Sequence, residues 1–123
     1  VIGNAQRKKL FNAYVSAFQG SNVTVPFKNI PINIMSSYHI MPIILPDNQD
    51  RNNIISKLKS HRIQTSIHYP NFKNFTAYSN FFLNEQLKVV DAICARELTL
   101  PLHPRMTQEQ VEEVSYHLLE AIS

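Results

Sequence analysis

The chain has a single cysteine, Cys94, so no disulfide can close within it, and that usage fits a reducing cytoplasm. Glycine is almost as scarce, at two residues, which excludes a glycine-rich phosphate loop. No apolar run approaches the ~20 residues needed to span a bilayer, so no membrane partner is expected. A signal-peptide pattern is missing, because Arg7, Lys8 and Lys9 lead into an amphipathic stretch and not an apolar one. Neither CxxC nor HExxH occurs and the five histidines are scattered, so no metal site is expected. A nucleophile elbow is lacking too. Glu109, Glu112 and Glu113 fall on one exposed helix face as solubilising charge. The chain alone therefore presents no complete catalytic set.

Charge of one sign is only slightly in excess: 12 Lys and Arg against 9 Asp and Glu, a net +3. A nucleic-acid binder shows a denser basic face, so no nucleic acid is expected as a partner. What is present is apolar: 44% of 123 residues, enough for one globular domain with one core. Val1 is not an initiator methionine, and a helical pattern starts at once; both are expected of a piece of something longer.

From the N-terminus, Asn4 is a candidate helix cap and Gly20 a helix stop. Between them Leu10, Phe11, Tyr14, Val15 and Phe18 form one apolar stripe, and its aromatics suggest packing against a partner domain. Residues 21–35 carry Pro26, Pro31 and several asparagines and read as a connector, with an extended piece near Val23. Residues 36–45 read as a first strand with apolar residues on both sides, and Pro42 requires an edge or a bulge there. Asp47 and Asp50 open a helix that runs to His61, with Ile54, Ile55 and Leu58 inward.

Residues 63–69 read as a second strand, closed by Pro70. Ile63, Thr65, Ile67 and Tyr69 point one way; Gln64, Ser66 and His68 point the other. An imidazole and a phenol at a strand end are where sites are built. The plainer alternative makes Tyr69 a cap on the core and His68 a solvated strand residue. Residues 71–84 form a long loop with Phe72, Phe75, Tyr78, Phe81 and Phe82, too many rings to leave in water, so an interface is expected. Asn84 is a candidate cap for a third helix that turns Leu87, Val90, Ile93 and Cys94 inward. A third strand spans residues 98–102 with three leucines on one face, again followed by His-Pro at His103. Thr107 and Gln110 make a capping box for a last helix with Val111, Val114, Leu118 and Ile122 inward. The order is α, then β-α-β-α-β-α. It is an α/β domain of two layers, a small three-stranded sheet with helices on one face.

Three stretches, IQTSIHYP (63–70), FTAY (75–78) and ARELTLPLHPRMT (95–107), strongly resemble the C-terminal part of the DegT/DnrJ/EryC1/StrS aminotransferases. The likeness runs over nearly the whole chain from Asn4. It implies the small C-terminal domain of the aspartate aminotransferase-like fold, with residues 1–20 as the interdomain linker helix and 21–123 as the domain. It also implies a pyridoxal-phosphate (PLP) enzyme that transfers an amino group, usually from glutamate, to a nucleotide-linked keto-sugar in polysaccharide or antibiotic sugar biosynthesis. The Schiff-base lysine and most cofactor contacts belong to an N-terminal domain, so no catalytic or cofactor-binding residue is assigned here. The partners implied are that N-terminal PLP domain, the nucleotide-sugar, and a second copy in a full-length homodimer. His68 and Tyr69 are the candidate substrate contacts. Lys73 joins them as a point charge for a diphosphate, although the family often has a histidine about there. Arg96 and Glu97 are expected to pair and fix a helix-strand junction. Two alternatives stay open: a non-enzymatic regulatory or interaction module displaying its aromatic loop, and the small domain of a PLP-dependent sugar dehydratase.

Overall fold

The computed structural model describes residues 2–78, 80–81 and 87–123. The expected cap Asn84 and the ring of Phe82 lie outside the described residues. The elements run α1 (Ile2–Ala17), β1 (Met41–Ile44), α2 (Arg51–Ser60), a 3-10 turn at Phe72–Asn74, α3 (Lys88–Arg96), β2 (Glu97–Leu100) and α4 (Gln108–Ile122).

The sheet is smaller than the three strands expected. β1 and β2 pair antiparallel, Met41 opposite Leu100 and Ile44 opposite Glu97. The two outer rows are single bridges, Thr24 with Ile44 and Ser66 with Thr99. The stretch 63–69 therefore touches β2 at one point and is not a full strand. The first strand also begins late, at Met41 and not at residue 36. Tyr38 adopts φ +47, a left-handed conformation that a ladder cannot accommodate. Pro42 sits where its missing N–H costs nothing. The N–H of Ile44 points outward to the Thr24 carbonyl at 2.8 Å, and Pro42, two residues earlier, faces the same outer edge.

The two faces of this ribbon differ in chemistry. Met41, Ile43, Leu98 and Leu100 share one face by register and are fully or nearly fully buried. They join the stripes of three helices: Leu10, Phe11, Tyr14 and Phe18 of α1, Ile54 and Leu58 of α2, and Val111, Val114 and Leu118 of α4. The aromatics of α1 are thus consumed by this chain's own core. Glu97 and Thr99 lie on the opposite face, buried as well.

Helix ends follow local chemistry. Asp50 caps α2 by accepting the N–H groups of Asn52 and Asn53, and the Thr107–Gln110 capping box opens α4 as expected. Gly20, at φ +80, ends the first helical segment. Asn4 is no cap: α1 already runs through it, and its side chain receives the Arg7 guanidinium. α3 departs most from expectation. It buries no residue fully, Ile93 is 43% exposed and Cys94 is half-buried. Among the described residues, no layer covers its apolar side chains fully.

Candidate functional site

β2 places Glu97 and Thr99 two residues apart, so both side chains project from the face away from the helices. The 63–69 stretch runs alongside. Ser66 and Thr99 exchange backbone hydrogen bonds at 3.0 and 2.8 Å, which sets His68 over the same two side chains. Its backbone N–H donates to Glu97 Oε2 at 2.9 Å, and its ring Nδ1 meets Thr99 Oγ1 at 3.0 Å. The Thr99 hydroxyl donates to Glu97 Oε1 at 2.6 Å. Ser66 Oγ stands further off, 3.4 Å from the same ring nitrogen. Glu97 is 4% exposed. A buried carboxylate is costly unless its oxygens are satisfied, and here the two donors, His68 and Thr99, occupy one oxygen each.

The expected Arg96–Glu97 pair does not form. Successive residues at a strand start point to opposite faces. Arg96 turns to Asp47, at 2.9 Å, and to the Leu45 carbonyl, while Glu97 turns under His68. Arg51 serves the junction instead, donating to the carbonyls of Cys94 and Glu97 at 2.6 and 3.0 Å.

Tyr69 does not cap the core; it is 73% exposed, and its ring stands edge-on to His68 with centroids 5.1 Å apart. The His68–Tyr69 peptide is cis. Lys73 belongs to a separate polar cluster. It sits on the 3-10 turn that Asn71 caps, and its ammonium lies 3.1 and 3.2 Å from the Asp91 oxygens of α3. Asn71 donates to the same carboxylate at 2.6 Å. The hydrogen bonds and charge of Lys73, with that of Asn71, hold the Asp91 carboxyl below its ordinary value. His68 and Tyr69 are thus brought together, and Lys73 is engaged by Asp91.

A groove of about 690 Å³ runs past this strand end. Four of the five histidines line it: His39, His61, His68 and His103, together with Arg62 and Glu113. The fifth, His117, stacks on His61 with centroids 3.8 Å apart. His103 is exposed and its Nδ1 accepts the Arg105 backbone N–H at 3.3 Å. Thr65, also in the lining, has a buried hydroxyl without a partner among the described residues. No group of three or more His, Cys, Asp or Glu among the described residues is arranged to hold a metal. No helix among them is long and apolar enough to cross a membrane.

Two residues of the site were missed by sequence reasoning, Glu97 and Thr99. The signal was the alternation Glu-Leu-Thr-Leu itself, which puts a carboxylate and a hydroxyl on the same face of a strand whose other face is all leucine. Beyond the groove, Phe75, Tyr78 and Phe81 are exposed on the loop after His68, and Phe27, Ile32, Ile34 and Met35 on the connector before β1.

Comparison with known proteins places this arrangement. A family model described as the DegT/DnrJ/EryC1/StrS aminotransferase family matches residues 3–119. No curated protein matches. Among solved structures, Helicobacter pylori PseC, an aminotransferase involved in the biosynthesis of pseudoaminic acid, is 20% identical with a TM-score of 0.87. The match covers 98% of this chain and 33% of PseC. The sugar aminotransferase Spr1654 of Streptococcus pneumoniae, described as putative, is 27% identical in its PMP form, with a TM-score of 0.81 over 96% of this chain and 30% of that one. DesV of S. venezuelae, solved with a ketimine intermediate, is 21% identical with a TM-score of 0.79, covering 96% and 31%. The chain thus spans about a third of the length of each.

Proposed function

The chain belongs to the DegT/DnrJ/EryC1/StrS aminotransferase family, and from that membership we propose that it is the substrate-side small domain of a PLP-dependent sugar aminotransferase. In this reading residues 1–20 link it to a large cofactor domain and residues 21–123 form the small domain. The reaction moves an amino group from glutamate to the keto group of a nucleotide-linked sugar, in the cytoplasm. The observation that carries the reading is coverage: nearly all of this chain superposes on about a third of each relative.

The chain's own residues fit a binding role and not the cofactor's anchor. The groove lining includes four histidines and Arg62 but no lysine, so these residues supply no amine for a PLP Schiff base. In this reading PLP, which supplies the electron sink for transamination, is held by the large domain. What this chain contributes is a wall. His68 offers a fixed imidazole at the groove and Tyr69 an exposed phenol beside it, both suited to sugar hydroxyls. Lys73 reaches a diphosphate only by sharing its ammonium with Asp91 or leaving it. The aromatic loop and the open side of α3 are the surfaces that a large domain or a second copy would cover.

The test is to assay the chain alone, and joined to the large domain of a family relative, for amino transfer from glutamate to a nucleotide-linked keto-sugar. No turnover alone and turnover when joined is the expected result. Turnover by the chain alone overturns the division of labour. A joined protein that folds and loads PLP, yet transfers nothing, overturns the substrate reading.

A further inference from the structure

The geometry points to Glu97 and Thr99 as positioning residues that fix which ring nitrogen of His68 carries the hydrogen. Thr99 has one hydroxyl hydrogen, and it is directed to Glu97 Oε1 at 2.6 Å. The other carboxylate oxygen is taken by the His68 backbone N–H at 2.9 Å, which can only donate. Toward the ring, Thr99 Oγ1 is therefore left as an acceptor and Nδ1, at 3.0 Å, donates to it; Ser66 Oγ, further off at 3.4 Å from the same nitrogen, is the weaker contact and can accept as well. A neutral imidazole with its hydrogen on Nδ1 carries its lone pair on Nε2. That nitrogen has no partner among the described residues, and His68 lines the groove. The groove thus meets a hydrogen-bond acceptor at this position.

His103, in the same groove, is set the opposite way. Its Nδ1 accepts the Arg105 backbone N–H, so its hydrogen sits on Nε2. Of these two groove histidines, one accepts and the other donates. That pair suits a polyhydroxylated ligand, whose hydroxyls do both, and at His68 it disfavours an anionic phosphate oxygen. The ligand part of this inference rests on the proposed sugar-binding role; the hydrogen placement does not.

The experiment is nitrogen NMR on the ¹⁵N-histidine-labelled chain, without ligand or cofactor, at a pH where an ordinary imidazole (about 6.5) is neutral. Expected is an Nδ1–H ring for His68 and an Nε2–H ring for His103. Glu97→Gln is nearly isosteric and should switch His68. The new amide oxygen takes the His68 backbone N–H, and the amide NH₂ donates to Thr99. The Thr99 hydroxyl then turns its hydrogen onto Nδ1, leaving the ring as Nε2–H. Thr99→Val should leave His68 a mixture of the two forms, and Thr99→Ser should restore the Nδ1–H form. His103 is the internal control and should not change in any of them. An Nε2–H ring at His68 in the unmodified chain overturns the proposal. So does an unchanged ring in Glu97→Gln, or in Thr99→Val should Glu97→Gln fail to fold. The readout needs no amino transfer, so failure of the aminotransferase reading leaves it standing, and its own failure leaves that reading standing.

Discussion

Two stretches of this chain end alike, in a histidine followed at once or one residue later by proline, and they are held in opposite ways. At the His68 end the ring and the backbone are both gripped by side chains about thirty residues away, Thr99 and Glu97. At the His103 end the imidazole is exposed and turns back on its own turn, to the N–H of Arg105. A proline close after a histidine has no N–H to give to a ladder. It says nothing about what the imidazole will meet. That is decided by the neighbouring strand, and β2 offers an acid and a hydroxyl only to His68.

Removing what the two ends share should give the largest effect. Leu98 is fully buried on the helix side of β2, the strand that carries Glu97 and Thr99 and leads on to His103. Leu98→Ala should cost about 2–5 kcal/mol by denaturant unfolding, from lost burial and the cavity left behind. Both histidines should then show faster exchange. A loss under 1 kcal/mol, or one histidine spared, would mean that the two ends do not depend on a common core.

Glu97→Ala should separate them. It leaves the part-buried His68 backbone N–H without its acceptor, at about 1–3 kcal/mol for an unsatisfied group. Amide exchange should rise at His68 and stay as it was at Arg105. Equal loosening at both would make Glu97 a general brace of the sheet.

Thr107→Ala tests the other end. It removes one half of the capping box that opens α4 just past His103, at about 1 kcal/mol. Exchange should rise over the first turn of α4 and leave His68 protected. Change at His68 would join the two ends through α4.

How much of this was legible beforehand follows from which interactions are local. The capping box, the Asp50 cap, the Gly20 stop and the α1, α2 and α4 stripes depend on residues within a turn or two of one another, and they formed as expected. Strand extent was not local. Residues 63–69 alternate like a strand, yet only Ser66 bridges β2, because Pro101 past the end of β2 has no N–H to offer and the His68 N–H goes to the Glu97 side chain. Tyr38 looked like a strand residue until its left-handed backbone broke the run. Tyr14 packed as expected, but its phenol also donates to the Pro101 carbonyl at 2.9 Å, and burial pushes its ionisation well above the usual range. No pattern in the sequence links positions 14 and 101. The Glu97–Thr99–His68 set is of the same kind: its alternation was readable, its partner was not.

Lys73 gives the smallest effect and the last distinction between the ends. It lies just past His68, on the turn that Asn71 caps, and ties that end to α3 through Asp91. The contact is a half-buried pair at the surface, so it adds little to global stability, but it has a definite pH dependence. Hydrogen bonding from Lys73, foremost, lowers the Asp91 carboxyl beneath its ordinary 3.8. A carboxyl with a lowered folded value contributes stability that is fully present above the unfolded value and lost as pH falls through the lowered one. The tie between the turn and α3 should therefore hold at neutral pH and down past pH 3.8, releasing only in stronger acid. Lys73→Met should move the Asp91 titration, followed by carboxyl NMR, up toward 3.8 and shrink that acid step to what Asn71 and the Leu87 backbone contact sustain, with the His103 resonances unchanged throughout. An Asp91 titration indifferent to Lys73→Met would show that the ammonium stands away from Asp91 in solution, free to meet an anionic ligand at the His68 end.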